Sequence, residues 1–595
     1  MTGQTSLRSG PDWRLVTGVF IVAATILVVR TMTGRSGLPF FADTDDAMRM
    51  VMVRDFLAGQ NWYDLTVHRL NTPFGAEIHW SRLIDLPLAL LVLVFTPFLG
   101  AETALLAAGT IWPMLLLAVL LWLSARLAFR LVGPEAVLPA LILPLLSPAI
   151  TVEFTPGRVD HHGVVIVLTF AMAWASVEAI TRPRFAILAG LLTATALAIA
   201  TESLPAIAAA IIVFGLAFVI DGQRATAMRG FGLAFGLGSV VHLAIFRPPA
   251  RWFEPACDVI SPLYVGVALL VAVLFTLASI VPPLRAPLQR FLLLAIPGAT
   301  GLLVLASLFP QCLSGPYAAL DPWLQANWIA AIVEAKPWLA NFIDMPAYAV
   351  AIGLPAFLAV LIVLYRLWRL PQARAEWAVL LVFLVATALV MLAQVRGARL
   401  SIMPAMPAAA WLIVSMRHRY LANRRPGNLA ALLGSWLAFS GVVLALAVSG
   451  ILALLPGQPE RAGNGRANTE ACLVPSAFAD LAAIPPERIM SPIDLGAHLL
   501  LYTPHAVVAA PYHRNEQGVL DAFRFLNEPI ATARTILAER GISLVVVCPG
   551  MPEMGGIPGK AEDSFVSLFA RDALPGWLHD VSLPNSPLRI YSVMP

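Results

Sequence analysis

About thirteen runs of roughly twenty apolar residues, joined by short loops that carry arginine, constrain this chain more than any other feature. Twenty residues of helix are the length of a bilayer's hydrocarbon core. Lipid offers no partner to a backbone N–H or C=O, so each run that crosses must be helical. Charged residues make up only 12% of the 595 positions and hydrophobic ones 59%, with mean hydropathy +0.80. A soluble domain carries about 25% charged residues, so much of this surface must face lipid. The first run, Val16 to Val29, has no small-residue cleavage site behind it and reads as a span rather than a signal peptide.

The expected spans are 13–32, 102–126, 135–150, 163–181, 184–201, 204–221, 229–246, 260–282, 288–310, 346–366, 375–394, 398–416 and 430–455. A shorter run at 84–99 is broken by Pro87 and Pro97. Lys and Arg gather in cytoplasmic loops. If 84–99 does not cross, the loops with Arg126/Arg130, Arg182/Arg184, Arg224/Arg229, Arg285/Arg290, Arg366/Arg369/Arg374 and Arg417/Arg419/Arg424/Arg425 all lie inside. If it crosses, all face out. The run 84–99 is therefore expected to be interfacial or re-entrant, and segments 33–101, 151–162, 247–259 and 311–345 external.

The organisation expected is a membrane domain over 1–456 and a soluble external domain over 457–595. The latter opens with a Pro/Gly/Asn/Arg linker, Pro456 to Asn468. Short β-branched runs, Val507-Val508 and Leu544 to Val547, flank the helical pattern Pro529 to Arg540, which suggests a small α/β domain. Cys257, Cys312, Cys472 and Cys548 show no metal spacing. Outside the cytosol they allow three disulfide pairings, and buried free thiols are the other reading. The net charge of +4 includes no Lys/Arg tract of the kind that binds nucleic acid.

Three external segments carry the polar chemistry: Asp43-Thr44-Asp45-Asp46, Gly157-Arg158-Val159-Asp160-His161-His162, and Glu334 before the 346–366 span. Charge at a membrane face is costly unless it is solvated, paired or bound to metal. Any one of these reads alone as a solvated cap or loop. Together, carboxylates and an imidazole suit a divalent cation, Mg²⁺ or, with histidine, Mn²⁺.

In their order these motifs resemble the catalytic subunit of the oligosaccharyltransferases, of the GT-C class of membrane glycosyltransferases. The family's first acidic motif matches Asp43 to Arg49. Archaeal members read close to Ile78-His79-Trp80 with a downstream Asp, here Asp85. Their second motif is DHH after a Gly, matching Gly157 to His162. Ala331-Ile332-Val333-Glu334 is similar to the family's late external motif, and Arg399 matches the arginine that holds the lipid pyrophosphate. One departure concerns the acceptor. The family's WWDYG motif corresponds to Ser491-Pro492-Ile493-Asp494-Leu495-Gly496, which keeps Asp494 and Gly496 but neither Trp.

The resemblance implies a GT-C-type α-helical polytopic membrane protein of about thirteen spans with a small C-terminal α/β extracytoplasmic domain. It implies transfer of a sugar or oligosaccharide from a polyprenyl-(pyro)phosphate carrier to a glycan, lipid or protein acceptor, in a bacterial inner membrane. Asp45, Asp160, His162 and Glu334 would hold the metal, with Asp46 the alternative if the register slips by one. Asp45, Asp160 and Glu334 would be catalytic. Arg399, Arg158, His79, Trp80 and Asp494 would bind substrate. Arg158 has an equal claim to a salt bridge with an external carboxylate. His79 and Trp80 read first as an interfacial anchor and second as lining the site, Glu202 first as a helix-end carboxylate and second as facing the cavity, and Tyr512-His513-Arg514-Asn515 first as a solvated loop and second as an acceptor contact. The competing function is a transporter or flippase of lipid-linked sugars. Such proteins show repeats in matched halves, and none is legible here.

Overall fold

The structure, a computed structural model, describes residues 10–34, 39–281, 284–317, 319–455, 469–584 and 586–594; the expected linker at 456–468 lies outside them. Among the described residues eleven helices are long and apolar enough to cross a membrane, Arg82–Leu99 being one of them. Two further pairs are broken spans: Pro134–Leu145 with Pro148–Phe154, bent by 71°, and Pro426–Leu437 with Gly441–Ala453, bent by 101°. The first break falls at Pro144 and Pro148, where proline removes a helical N–H donor. The two breaks meet: Val442 N–H donates to Leu146 C=O at 2.8 Å. A backbone group freed by one bend is thereby satisfied by the other, as lipid surroundings require.

The ion pairs fix which helices cross. Arg130 bonds Glu376 and Thr181, and Glu135 bonds Arg417 and His418, so these ends share one face. Asp46, Asp160, Glu202, Arg396 and Arg399 meet at the other face. An even number of crossings must separate Asp46 from Asp160. Ala101–Leu131 and the bent pair ending at Phe154 supply two. Arg82–Leu99 therefore does not cross, whatever its length. Both its ends confirm this: Arg82 bonds Gln60 and Asp64 C=O, while Glu102 just beyond it pairs with Arg54. Conversely Phe185–Ile199, only fifteen residues long, must cross, because Arg182 stands beside Glu178 on the Arg130 face and Glu202 stands on the other. The result is thirteen crossings.

Beyond the last span lies a five-stranded sheet. After the two-stranded ribbon β1 (Thr66–Val67) and β2 (Ala76–Glu77) of the earlier 33–101 segment, its strands are β3 (Arg488–Met490), β4 (Ala506–Val507), β5 (Leu544–Val547), β6 (Leu578–Asp580) and β7 (Arg589–Val593), in the order β4-β3-β5-β7-β6. The first three are mutually parallel; β7 and β6 are antiparallel. All four residues of β5 are buried, as a central strand covered on both faces requires. Helices Ile493–Tyr502, Glu516–Asn527 and Ile530–Arg540 cover the sheet. Disulfides join Cys257 to Cys312 and Cys472 to Cys548.

The sheet domain is tied to the first external segment through backbone. Val507 N–H donates to Arg69 C=O at 2.8 Å and Thr72 N–H to Val507 C=O at 3.0 Å. Arg69 donates to the carbonyls of Leu500, Thr503 and His505. Arg540, paired with Asp521 at 2.6 Å, donates to Thr72 C=O at 2.9 Å. Removing one partner of a buried ion pair leaves an uncompensated charge and costs about 3–5 kcal/mol. Arg540→Ala is expected to lose about that much; thermal unfolding in detergent, followed by proteolytic release of the external domain, checks it.

Candidate functional site

Asp43 starts the site by capping helix Thr44–Leu57: its carboxylate accepts from Asp45 N–H at 3.0 Å. The next turn buries Asp46, which accepts from Val159 N–H at 2.7 Å and Asp160 N–H at 3.1 Å. Two segments over a hundred residues apart are joined by that one carboxylate. The close approach requires Gly157. Its φ is +96°, its N–H donates to Gly109 C=O, and a Cβ there would stand 2.1 Å from Phe40 C=O. Arg158 follows and meets four carboxylates: Asp43 at 2.7 Å, Asp46 at 2.9 Å, Glu153 at 3.1 Å and Asp160 at 2.7 Å. It is the counter-ion of the cluster. Its other reading, a contact with substrate phosphate, gives way to these bonds.

Asp45, Asp160 and His162 bring ligand-type atoms within 4.8 Å of one another. Among the described residues Asp45 makes no ion pair. Burial, then Asp43 and Asp160, push its carboxyl up to about 7. Burial acts on Asp160 too, but Arg158 and His162 outweigh it and hold that carboxyl low. His162 Nδ1 stands 3.2 Å from Glu202, whose other oxygen is 3.1 Å from Arg396. Two carboxylates and an imidazole backed by a third carboxylate are a donor set that fits Mn²⁺ or Mg²⁺. Glu334 is not in it. It sits in the turn Val333–Ala335 and pairs with Arg399, which also holds Glu153 at 3.1 Å. The turn is strapped down by Arg396 N–H donating to Glu334 C=O and Val395 N–H to Lys336 C=O. The nearest opposite charge there is a guanidinium.

Beside the cluster lies a cavity of about 460 Å³ with two unlike walls. One is polar: His79, His161, His162, Glu202, Arg396 and Arg399. The other comes from membrane helices: Val165, Ile166, Leu204, Val390 and Leu400. A second cavity of about 170 Å³ adjoins it, reached by Asp45, Glu334, Tyr512 and His513. His79 and Trp80 line both. Trp80 is no interfacial anchor. It is 4% exposed, with the guanidinium of Arg49 4.2 Å from its ring, and Arg49 in turn pairs with buried Asp85 at 2.7 Å.

Asp494 and Arg158 line neither cavity. Asp494 begins Ile493–Tyr502, and its N–H donates to Glu553 at 3.1 Å. Burial and the Glu553 charge push its carboxyl up to about 8. Two residues on, a Cβ at Gly496 would stand 1.9 Å from Ala509 C=O. The stretch is closely packed, and Asp494 lies near enough to Asp43 and Asp45 to feel their charges.

Several lining residues escape the sequence. Glu202 is no free helix end, since it bridges His162 and Arg396. Tyr512 to Asn515 is no solvated loop: Tyr512 is 3% exposed and donates to Thr44 C=O at 3.0 Å, while His513 and Arg514 both bond Asp258. A signal existed for Glu202, a lone carboxylate at the end of an apolar run, where charge is rarely idle. His79, Asp258 and His513 also gather ligand-type atoms, but Arg514 occupies both oxygens of Asp258.

The chain resembles solved structures of the archaeal oligosaccharyltransferase AglB from Archaeoglobus fulgidus. Against its complex with an inhibitory peptide and a dolichol-phosphate the TM-score is 0.63 at 15% identity, covering 91% of this chain and 70% of that one. Against the oligosaccharyltransferase of the same organism tethered to an acceptor peptide containing the NVT sequon, the values are 0.62, 16%, 89% and 69%. Against its complex with Zn and sulfate they are 0.58, 15%, 90% and 68%. No protein-family model and no curated protein matches the chain. At this identity the likeness establishes a shared fold.

The Asp45 carboxyl titrates near 7 in the folded chain and near 3.8 when free. A raised carboxyl binds its proton more tightly when folded. Its contribution is therefore fully present below about pH 4 and lost as pH climbs through 7. In EDTA, the melting temperature is expected to fall between pH 5 and 7.5, and Asp45→Asn to flatten that slope; thermal unfolding across pH measures both.

Proposed function

We propose that this protein is a GT-C-class membrane glycosyltransferase. It moves a sugar or oligosaccharide from a polyprenyl-phosphate or polyprenyl-pyrophosphate carrier to an acceptor on the extracytoplasmic side of a bacterial inner membrane. The observation that carries the reading is the 460 Å³ cavity, charged on one wall and apolar on the other, at the outer ends of the spans. A lipid-linked sugar has that polarity. The dolichol-phosphate held by one structural neighbour is a lipid phosphate of the same chemical kind. Two disulfides on the site's face suit an oxidising compartment. In this reading residues 1–456 form the membrane unit and 457–595 the extracytoplasmic one.

Each residue then has a task. Arg399 and Arg396 receive the carrier's phosphate oxygens through planar forks of donors. Val390, Leu400, Val165 and Leu204 receive the first isoprene units. Asp45, Asp160 and His162 would hold Mn²⁺ or Mg²⁺, with Glu202 fixing the imidazole. Such a cation, when bound, stabilises the oxygens that leave with the carrier as a Lewis acid. Asp45 and Glu334 face the smaller cavity and orient the acceptor's attacking atom. Arg158 holds the carboxylates in place, and His79 and Trp80 wall the donor.

Reconstitution with lipid-linked donors extracted from the source membranes tests the reading. Asp45→Ala and Asp160→Ala are each expected to cut transfer at least about a hundredfold, and Arg399→Ala by about 10²–10³, the cost of one lost charge-stabilising donor. Mn²⁺ is expected to raise the melting temperature of the wild type and not of Asp45→Ala. Undiminished transfer after removal of Asp45, Asp160 and Glu334 together would return the chain to the transporter class.

A further inference from the structure

His513 stands where the two cavities join and lines both. It reaches there from the turn His513–Asn515 of the external domain. Its Nε2 is 2.8 Å from Asp258 Oδ2, on the external segment that the Cys257–Cys312 disulfide tethers. Asp258 is the most firmly held carboxylate of the region: Arg514 donates to Oδ2 at 2.8 Å and to Oδ1 at 2.9 Å. Burial would raise that carboxyl, but the bonds from His513 and Arg514 hold it well below the usual range. Asp258 is therefore an anion and accepts from Nε2–H. The other nitrogen, Nδ1, keeps its lone pair, because the tautomer of an imidazole is set by the bond its partner nitrogen makes. Among the described residues Nδ1 has no hydrogen-bond partner.

The ring is boxed in. His79 lies 4.5 Å from it, centroid to centroid, and Tyr317 packs edge-on at 5.2 Å. The charged and titratable groups that face it are Asp258, Arg514 and His79, and, across the cavities, Asp45, His161, His162, Glu202, Glu334, Arg396 and Arg399. Burial keeps His79 neutral. A carboxylate-oriented imidazole with one open nitrogen is the arrangement of a general base. The smaller cavity it faces is walled by Trp80, Tyr317, Trp328 and Tyr512. Flat aromatic walls suit the C–H faces of a sugar ring.

We propose that His513, oriented by Asp258, is the base that takes the proton from the acceptor, and that this acceptor is a sugar hydroxyl of a glycan rather than the amide of an asparagine. The assignment rests on the transferase reading above. The acceptor oxygen attacks the anomeric carbon with a lone pair. The bond from that carbon to the phosphate oxygen breaks, and its electron pair leaves on the phosphate. The hydroxyl proton passes to His513 Nδ1 and from there to water. Asp258 acts through His513 and is a positioning residue.

The test uses the full chain in nanodiscs, the lipid-linked sugar fraction of the source membranes as donor, and two competing probes. These are a set of p-nitrophenyl glycosides and a peptide carrying Asn-Ala-Thr. Label is expected on the glycosides. His513→Gln, which keeps a bond to Asp258, is expected to lower kcat at least about a hundredfold. The donor KM stays within about twofold, and the acid limb of the pH–rate profile disappears. His513→Gly regains rate with added imidazole, which also shows that it folds. Asp258→Asn moves the acid limb to lower pH. Wild-type kcat and pH profile in His513→Gln, with Asp45→Ala inactive, overturns the base and leaves the transferase standing. Label on the peptide alone overturns the acceptor. No transfer by the wild type to either probe overturns the transferase reading, and the assignment with it.

Discussion

Everything at the outer face is organised by the need to neutralise buried carboxylates, and Arg158 meets most of that need. Its guanidinium bonds Asp43, Asp46, Glu153 and Asp160, which belong to two stretches of chain more than a hundred residues apart. Asp46 in turn bonds the backbone of Val159 and Asp160, so the acidic helix and the Gly157–His162 segment have a single register with respect to each other. An unpaired charge in such a place would cost several kcal/mol or would take up a proton. Arg158 has partners for four groups but not for Asp45, whose carboxyl therefore rises toward neutrality. Within this cluster, and among the described residues, Asp45 is the carboxylate without an ion pair, and it faces a cavity.

The same economy of charge separates two halves of the site. On the membrane side, arginines lead: Arg399 holds Glu153 and Glu334, and Arg396 holds Glu202. These pairs stand at the start of one membrane helix, Gly397–Ala422. On the opposite side the sheet domain leads, contributing Tyr512 and His513 from the stretch that follows β4. Asp45 lies between them. The external domain is no appendage, because its helix Ile493–Tyr502 docks on the helix that carries Asp45, and His498 bonds Phe41 C=O at 2.9 Å.

Membrane topology and site chemistry constrain each other. The convergence of Asp46 with Asp160 requires an even number of crossings between them, which keeps Arg82–Leu99 out of the transmembrane count despite its eighteen apolar residues. Hydropathy alone would count it, and would pass over the fifteen-residue Phe185–Ile199, whose crossing is enforced by the positions of Glu178 and Glu202.

By itself the sequence determined what lipid and charge dictate locally. Apolar runs must be helices, arginine loops must stay inside, 84–99 must not cross, and β-branched runs such as Leu544 to Val547 must pair in a sheet. Its motifs also singled out Asp45, Asp160 and His162, whose ligand-type atoms the fold brings within 4.8 Å of one another. Only the tertiary structure decided which charges meet. That Arg158 bonds carboxylates, that Glu202 stands behind His162, that Glu334 pairs with Arg399, and that Asp258 and His513 find each other from 255 residues apart are facts of packing. No periodicity encodes them. Electrostatic partnership falls off over a few ångströms, and distance in space is what a linear string of residues leaves out.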